Sequence, residues 1–153
     1  MEPKPDFDQI MQARVSVALT TLAVALLFVG AVSGTVLRHV VQITPIVCVL
    51  LVLRRKPDWG AYGAIPIFVF WIGIVILIWL FLMGLSRIAN GHYTLAEVLA
   101  TVVMAGAALT GLGSSLAVGK ELSVGDRVIA IGTFAVFQFA AMWVSFLGPI
   151  ANR

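Results

Sequence analysis

The 153-residue chain is 61% hydrophobic and only 11% charged, where soluble domains carry roughly 25% charged residues. Its mild basic excess, ten Lys/Arg against seven Asp/Glu, lies at the ends of apolar runs. Such charge reads as membrane-loop cations and excludes a phosphate-tracking nucleic-acid surface. No CxxC, HExxH or glycine-rich phosphate loop is present, and a single cysteine, Cys48, permits no intramolecular disulfide.

The opening segment, residues 1–14, is polar and carries Pro3 and Pro5. Asp6 followed by Gln9 is a weak capping-box pattern, so a helix can begin ahead of the membrane and run straight into it. Two apolar runs follow, at about 15–33 and 36–53, separated by Gly34 and Thr35. As one helix they would be about 60 Å long, twice the ~30 Å hydrocarbon core of a bilayer. Two antiparallel spans fit, with Gly34 as the left-handed residue closing the first and Thr35 as N-cap of the second. A loop over residues 54–63 holds Arg54, Arg55 and Lys56, then Trp59 and Tyr62, the cations and aromatics of a membrane–water boundary.

The third run, 65–85, is uncharged and bulky almost throughout, which no soluble amphipathic helix allows. Thr94 and Glu97 form a better capping box and open a fourth span, 95–118, built of small residues. A fifth span, 128–147, is stopped by Gly148 and Pro149, leaving 149–153 as a short tail. The chain therefore reads as an all-α integral membrane protein, one bundle of five transmembrane helices. A rival reading takes Ala31-Val32-Ser33 as a signal-peptidase site, which would leave four spans. Against it, the run before that site is long for a signal peptide, and residues 1–14 are not distinctly basic.

With five spans, Lys4, Arg14, Arg54, Arg55, Lys56, Lys120 and Arg127 fall on one side, and Arg38, Arg87 and Arg153 on the other. The cation-rich side is expected to be cytoplasmic, as in a bacterial inner membrane, with the N-terminus in and the C-terminus out.

Polar residues next to spans are the best functional pointers, because each costs free energy to bury in lipid. This topology gathers Arg38, His39, Gln42, Arg87, Asn90, His92, Tyr93 and Glu97 at the outer face. They read either as interface anchors or as a shallow pocket for a lipid headgroup, a quinone or a small anion, with Glu97 pairing Arg38 when the pocket is empty. His39 and His92 on different helices also match the two axial ligands of a b-type haem. The amide of Gln138, mid-span in the fifth helix, reads as interhelical glue, and Pro45 as a kink near Gln42. Gly30 and Gly34, and Ala107, Gly111 and Ser115, are spaced by four as small packing faces. On that ground the fourth span is expected to be central and the bulky third span peripheral.

No catalytic residue is assigned. Three functions fit: a non-catalytic subunit or assembly component working with other membrane subunits, a small homo-oligomeric channel or carrier, or a haem- or quinone-binding redox subunit. Lipids are expected partners and nucleic acid is not.

Overall fold

A computed structural model describes residues 7–87, 93–118 and 122–151. Five helices are long and apolar enough to cross a membrane: α1 (Phe7–Val32), α2 (Val36–Arg55), α3 (Pro57–Leu82), α4 (Leu95–Ala117) and α5 (Val124–Ser145). A four-residue turn of helix, α6 (Gly148–Ala151), follows. The all-α membrane bundle expected from the sequence is what the chain forms.

Helix ends follow local chemistry. Gly34 has φ +70°, and the Thr35 N–H donates to the Gly30 carbonyl at 2.8 Å, the six-to-one bond of a Schellman cap. Gly84 does the same for α3, with φ +73° and the Leu85 N–H on the Leu80 carbonyl. Thr94 and Glu97 close the expected capping box at α4, and the Ser123 hydroxyl accepts from the Asp126 N–H at α5.

The expected loop over 54–63 is helical instead. Only Lys56 separates α2 from α3, because Pro57 suits a first helical position: its ring presets φ, and its missing N–H would be unpaired there anyway. Interfacial residues mark a depth here without breaking the helix. Lys56 lies over the Trp59 ring and Arg127 over the Tyr62 ring, at 5.9 and 5.2 Å from the centroids. The tight corner requires glycine at position 60, where a Cβ would run into the backbone of Leu53.

The helices form two layers, α1 and α2 lying over α4, α3 and α5. This layering divides the expected order of centre and edge: α3 touches more helices than α4 does, yet its apolar stretch is the less buried of the two. α3 packs against α2, α4, α5 and a short stretch of α1, whereas α4 packs, among the described residues, only on α1 and α3. Lipid offers α3 no less apolar contact than protein does, so its hydrophobicity could not decide its place. Steric fit does: Phe68 of α3 is fully buried in a hole that Gly111 leaves on α4, and a Cβ at position 111 would overlap its ring. α3 also has a small face, Gly60, Ala61, Gly63 and Ala64, which lies before the bulky run. α4 turns Leu99, Val102, Val103, Leu109 and Leu116 outward.

The other packing assignments divide. Gly30 is buried beneath the His39 ring, whose atoms a Cβ would approach to 2.9 Å. A Cβ at Gly34 would meet nothing within 4 Å, so this glycine serves the turn and not a packing face. Gly111 and Ser115 are buried, while Ala107 is half-buried and Ala108 takes its place in the core. Gln138 is wholly buried at a helix interface, but neither amide atom has a hydrogen-bond partner among the described residues. The glue it was expected to supply is therefore not made there.

Candidate functional site

Where α1, α3 and α5 end and α2 and α4 begin, all five spans enclose one cavity of about 630 Å³. The sequence-predicted residues Arg38, His39, Gln42, Tyr93 and Glu97 all line it. Arg87 is exposed and lies outside the lining. Asn90 and His92 lie outside the described residues, so the two-histidine haem arrangement has one described member.

The short α1–α2 turn builds one side of the rim. The Ser33 hydroxyl donates to the Val29 carbonyl at 2.8 Å and sits 2.6 Å from Thr35 Oγ1. His39 Nδ1 is 3.0 Å from the Thr35 carbonyl, which can only accept. That bond assigns the proton to Nδ1 and leaves Nε2 as the acceptor of a neutral ring. Thr35 stands at the N-cap position as expected, yet makes no side-chain cap bond to α2.

Glu97 is held from the opposite side. Its Oε2 accepts from the Thr94 N–H at 2.7 Å and the Thr94 hydroxyl at 2.9 Å, at the positive end of the α4 dipole. The expected Arg38–Glu97 ion pair is absent among the described residues: the capping box, a local contact within one helical turn, claims the carboxylate first. Arg38 instead lays its guanidinium over the Phe146 ring, 4.2 Å from the centroid, and its buried Nε has no acceptor among the described residues. Burial, reinforced by the nearby Glu97 charge and opposed by Arg38, pushes the Tyr93 phenol above its usual pKa, so it stays protonated at neutral pH.

Two polar latches brace the walls. Gln42 Nε2 donates to Ser145 Oγ at 3.0 Å, and that hydroxyl donates onward to the Met142 carbonyl, joining α2 to α5. Trp79 Nε1 donates to Thr101 Oγ1 at 3.0 Å, joining α3 to α4. Further down, the walls are Leu26, Ile74, Leu77, Ile78 and Met104, with Trp71 among them. Trp71 is 3% exposed and its indole N–H has no partner among the described residues. It lies about 16 Å along α3 from the end of that helix, near mid-membrane.

Sequence reasoning missed Ser33, Thr35, Thr101, Trp71 and Phe146 as lining residues. Thr101 and Met104 had a usable signal, since they continue the Glu97 face at helical spacing. Phe146 had none, because its role depends on Arg38, which is remote in sequence and belongs to a different layer. Among the described residues no group of three His, Cys, Asp or Glu side chains is placed to hold a metal ion.

No protein-family model, curated protein or solved structure matches the chain.

Proposed function

We propose that the protein is a non-catalytic membrane component that holds a small amphiphile between its five helices. The observation that carries this reading is the division of the cavity. A rim of Arg38, His39, Tyr93 and Glu97 stands over walls of Leu26, Ile74, Leu77, Ile78 and Met104, the same polar-over-apolar split that an amphiphile has. Its volume falls within the roughly 300–1,000 Å³ of small-molecule sites.

Two further features support binding over the alternatives. Leu19, Leu22, Ile46, Ile67 and Phe68 are fully buried in the core, which favours a blind cavity over a pore through one chain. The Thr35–His39 contact is a poor nucleophile–base pair, because the Nδ1 proton is directed at the Thr35 carbonyl. The seven-to-three cation bias supports a cavity mouth facing away from the cytoplasm, with the N-terminus inside and the C-terminus outside. The outward apolar faces of α4 and α5 leave surface for lipid, for partner subunits or for further copies of the chain.

Native mass spectrometry of protein released from a mild non-ionic detergent tests the reading. The wild type is expected to retain one amphiphile per chain. Val29→Phe, which pushes an aromatic ring into the cavity, is expected to lose it while remaining folded. A wild type without any retained amphiphile, or a Val29→Phe variant that keeps it, contradicts the proposal.

A further inference from the structure

We propose that the amphiphile's headgroup is uncharged and hydroxyl-bearing: its O–H groups donate to His39 Nε2, Gln42 Oε1 and Glu97 Oε1, which the fold presents together as acceptors. The inference rests on the amphiphile reading of the cavity and names the chemistry of the occupant's polar end.

The direction of three sets of hydrogen bonds carries it. In the α1–α2 turn the Ser33 hydroxyl proton is committed to the Val29 carbonyl, so Thr35 Oγ1, at 2.6 Å, is the donor to Ser33 Oγ. With that proton spent, Thr35 offers His39 Nδ1 only acceptors, its hydroxyl oxygen at 3.2 Å and its carbonyl at 3.0 Å. Every proton in this chain runs toward α1, and its open end is Nε2, an acceptor. The part of the side chain over Gly30 is Cβ, Cγ and Nδ1, so Nε2 lies on the far edge of a ring that lines the cavity. The same logic fixes the Gln42 amide. Ser145 gives its proton to the Met142 carbonyl and so accepts from Gln42 Nε2, which assigns the amide's orientation. Gln42 Oε1 is left without a hydrogen bond among the described residues. In Glu97 both Thr94 donors go to Oε2, and Oε1 is left in the same state.

These three acceptors reach open space. Among the described residues, the side-chain atoms that are both shut off and without a partner belong to Arg38, Trp71, Ser115 and Gln138; His39 Nε2, Gln42 Oε1 and Glu97 Oε1 are not among them. Gln42 and Glu97 are only 3% and 9% exposed, so the surface their oxygens keep borders the cavity that both residues line. His39 and Gln42 are three residues apart, on one face of α2.

Charge narrows the headgroup further. Arg38 and Glu97 are the charged residues in the described lining, one of each sign, so the rim favours neither a net cation nor a net anion. A carboxylate or phosphodiester brings no donor and meets Glu97. An ammonium brings donors and meets Arg38. A quinone brings acceptors alone. A hydroxyl donates to the three acceptors and accepts in turn from the Tyr93 phenol or the Arg38 guanidinium.

Equilibrium binding to protein in phosphatidylcholine nanodiscs, whose lipids carry no O–H or N–H donor, tests this. The probes are 1-lauroylglycerol, its donor-free analogue 2,3-dimethoxypropyl laurate, and dodecyl β-glucoside. At least one hydroxyl-bearing probe is expected to bind about tenfold or more tightly than the dimethyl ether, which leaves the acceptors unpaired. The tighter of the two distinguishes a glycerol from a sugar headgroup. Glu97→Gln keeps an oxygen for the Thr94 cap but turns an amide donor toward the cavity, and should cut that ratio several-fold. His39→Phe keeps a ring over Gly30 without the Nε2 acceptor and should do the same. A wild-type ratio near one overturns the inference. So does a ratio that survives both substitutions, which is what the bulk of the ether alone would give. If binding at a ratio near one is blocked by Val29→Phe, the cavity reading stands and only the headgroup chemistry fails. If no probe binds in a manner sensitive to Val29→Phe, both fail.

Discussion

Gly111→Ala adds one methyl group at the point where the Phe68 ring of α3 packs onto α4. The new Cβ would overlap Cζ, Cε1 and Cε2 of Phe68, a ring that is fully buried. Overpacking of a tight core costs about 1–3 kcal/mol. Alanine is also favoured over glycine inside a helix by roughly 0.5–1 kcal/mol, which would mask part of that cost. Gly106→Ala supplies the correction, because position 106 lies on the same helix with nothing within 4 Å of a Cβ. The difference between the two variants is therefore the clash itself. Unfolding by sodium dodecyl sulfate in mixed micelles, followed by tryptophan fluorescence, should rank Gly106→Ala at or above wild type and Gly111→Ala about 1–3 kcal/mol below Gly106→Ala. Phe68→Leu vacates ring volume at the same place, so the Gly111→Ala/Phe68→Leu double variant should be more stable than the sum of the single effects, by about 1 kcal/mol or more. Equal stability of the two alanine variants, or simple additivity in the cycle, would refute the placement of Phe68 in the hole left by Gly111.

Other consequences are as specific. Ser145→Ala removes the hydroxyl that Gln42 Nε2 donates to and should cost about 0.5–1.5 kcal/mol in the same assay, within the range of interhelical bonds in membranes; no loss would mean the latch carries no energy. Gln138→Met replaces a buried amide without a partner among the described residues by an apolar side chain of similar shape and should stabilise by about 1–3 kcal/mol, whereas destabilisation would reveal a partner for that amide. In a Cys48→Ala background, Lys56→Cys and Ser86→Cys should react with a membrane-impermeant thiol reagent from opposite sides, Ser86→Cys from outside; labelling from one side would break the five-span topology. Intact-mass measurement of membrane-inserted protein should retain α1, whose Val15, Leu19, Leu22 and Leu26 fill the core, and a start at Gly34 would contradict it.

What is legible in the sequence is local or set by parity. The capping box at Thr94 and Glu97 and the Gly34 turn are decided within a few residues, so both can be read directly. The meeting of Arg38, His39, Gln42, Tyr93 and Glu97 follows from counting spans, since five crossings bring the start of α2 and the start of α4 to one face. What cannot be read are properties of pairs. Phe68 and Gly111 decide how α3 locks onto α4, but neither residue alone distinguishes a knob in a hole from a ring in lipid. An Arg38–Glu97 pair follows from charge alone and fails because Thr94 lies nearer to that carboxylate. The start of α3 departs from expectation for a related reason: Asp58, Trp59 and Tyr62 prefer the interface, and a helix can start in the interface as readily as beyond it.

Photo-crosslinking reports the cavity's occupancy most directly. A single-chain amphiphile bearing a diazirine midway along its chain would be added to membranes holding the protein, irradiated, and its attachment sites mapped by peptide mass spectrometry. Attachment concentrated on Ile74, Leu77, Ile78 and Met104, and lost in Val29→Phe, is the predicted result. Attachment spread over the outward-facing Val69, Ile76 and Val102, with none on the cavity walls, would contradict it.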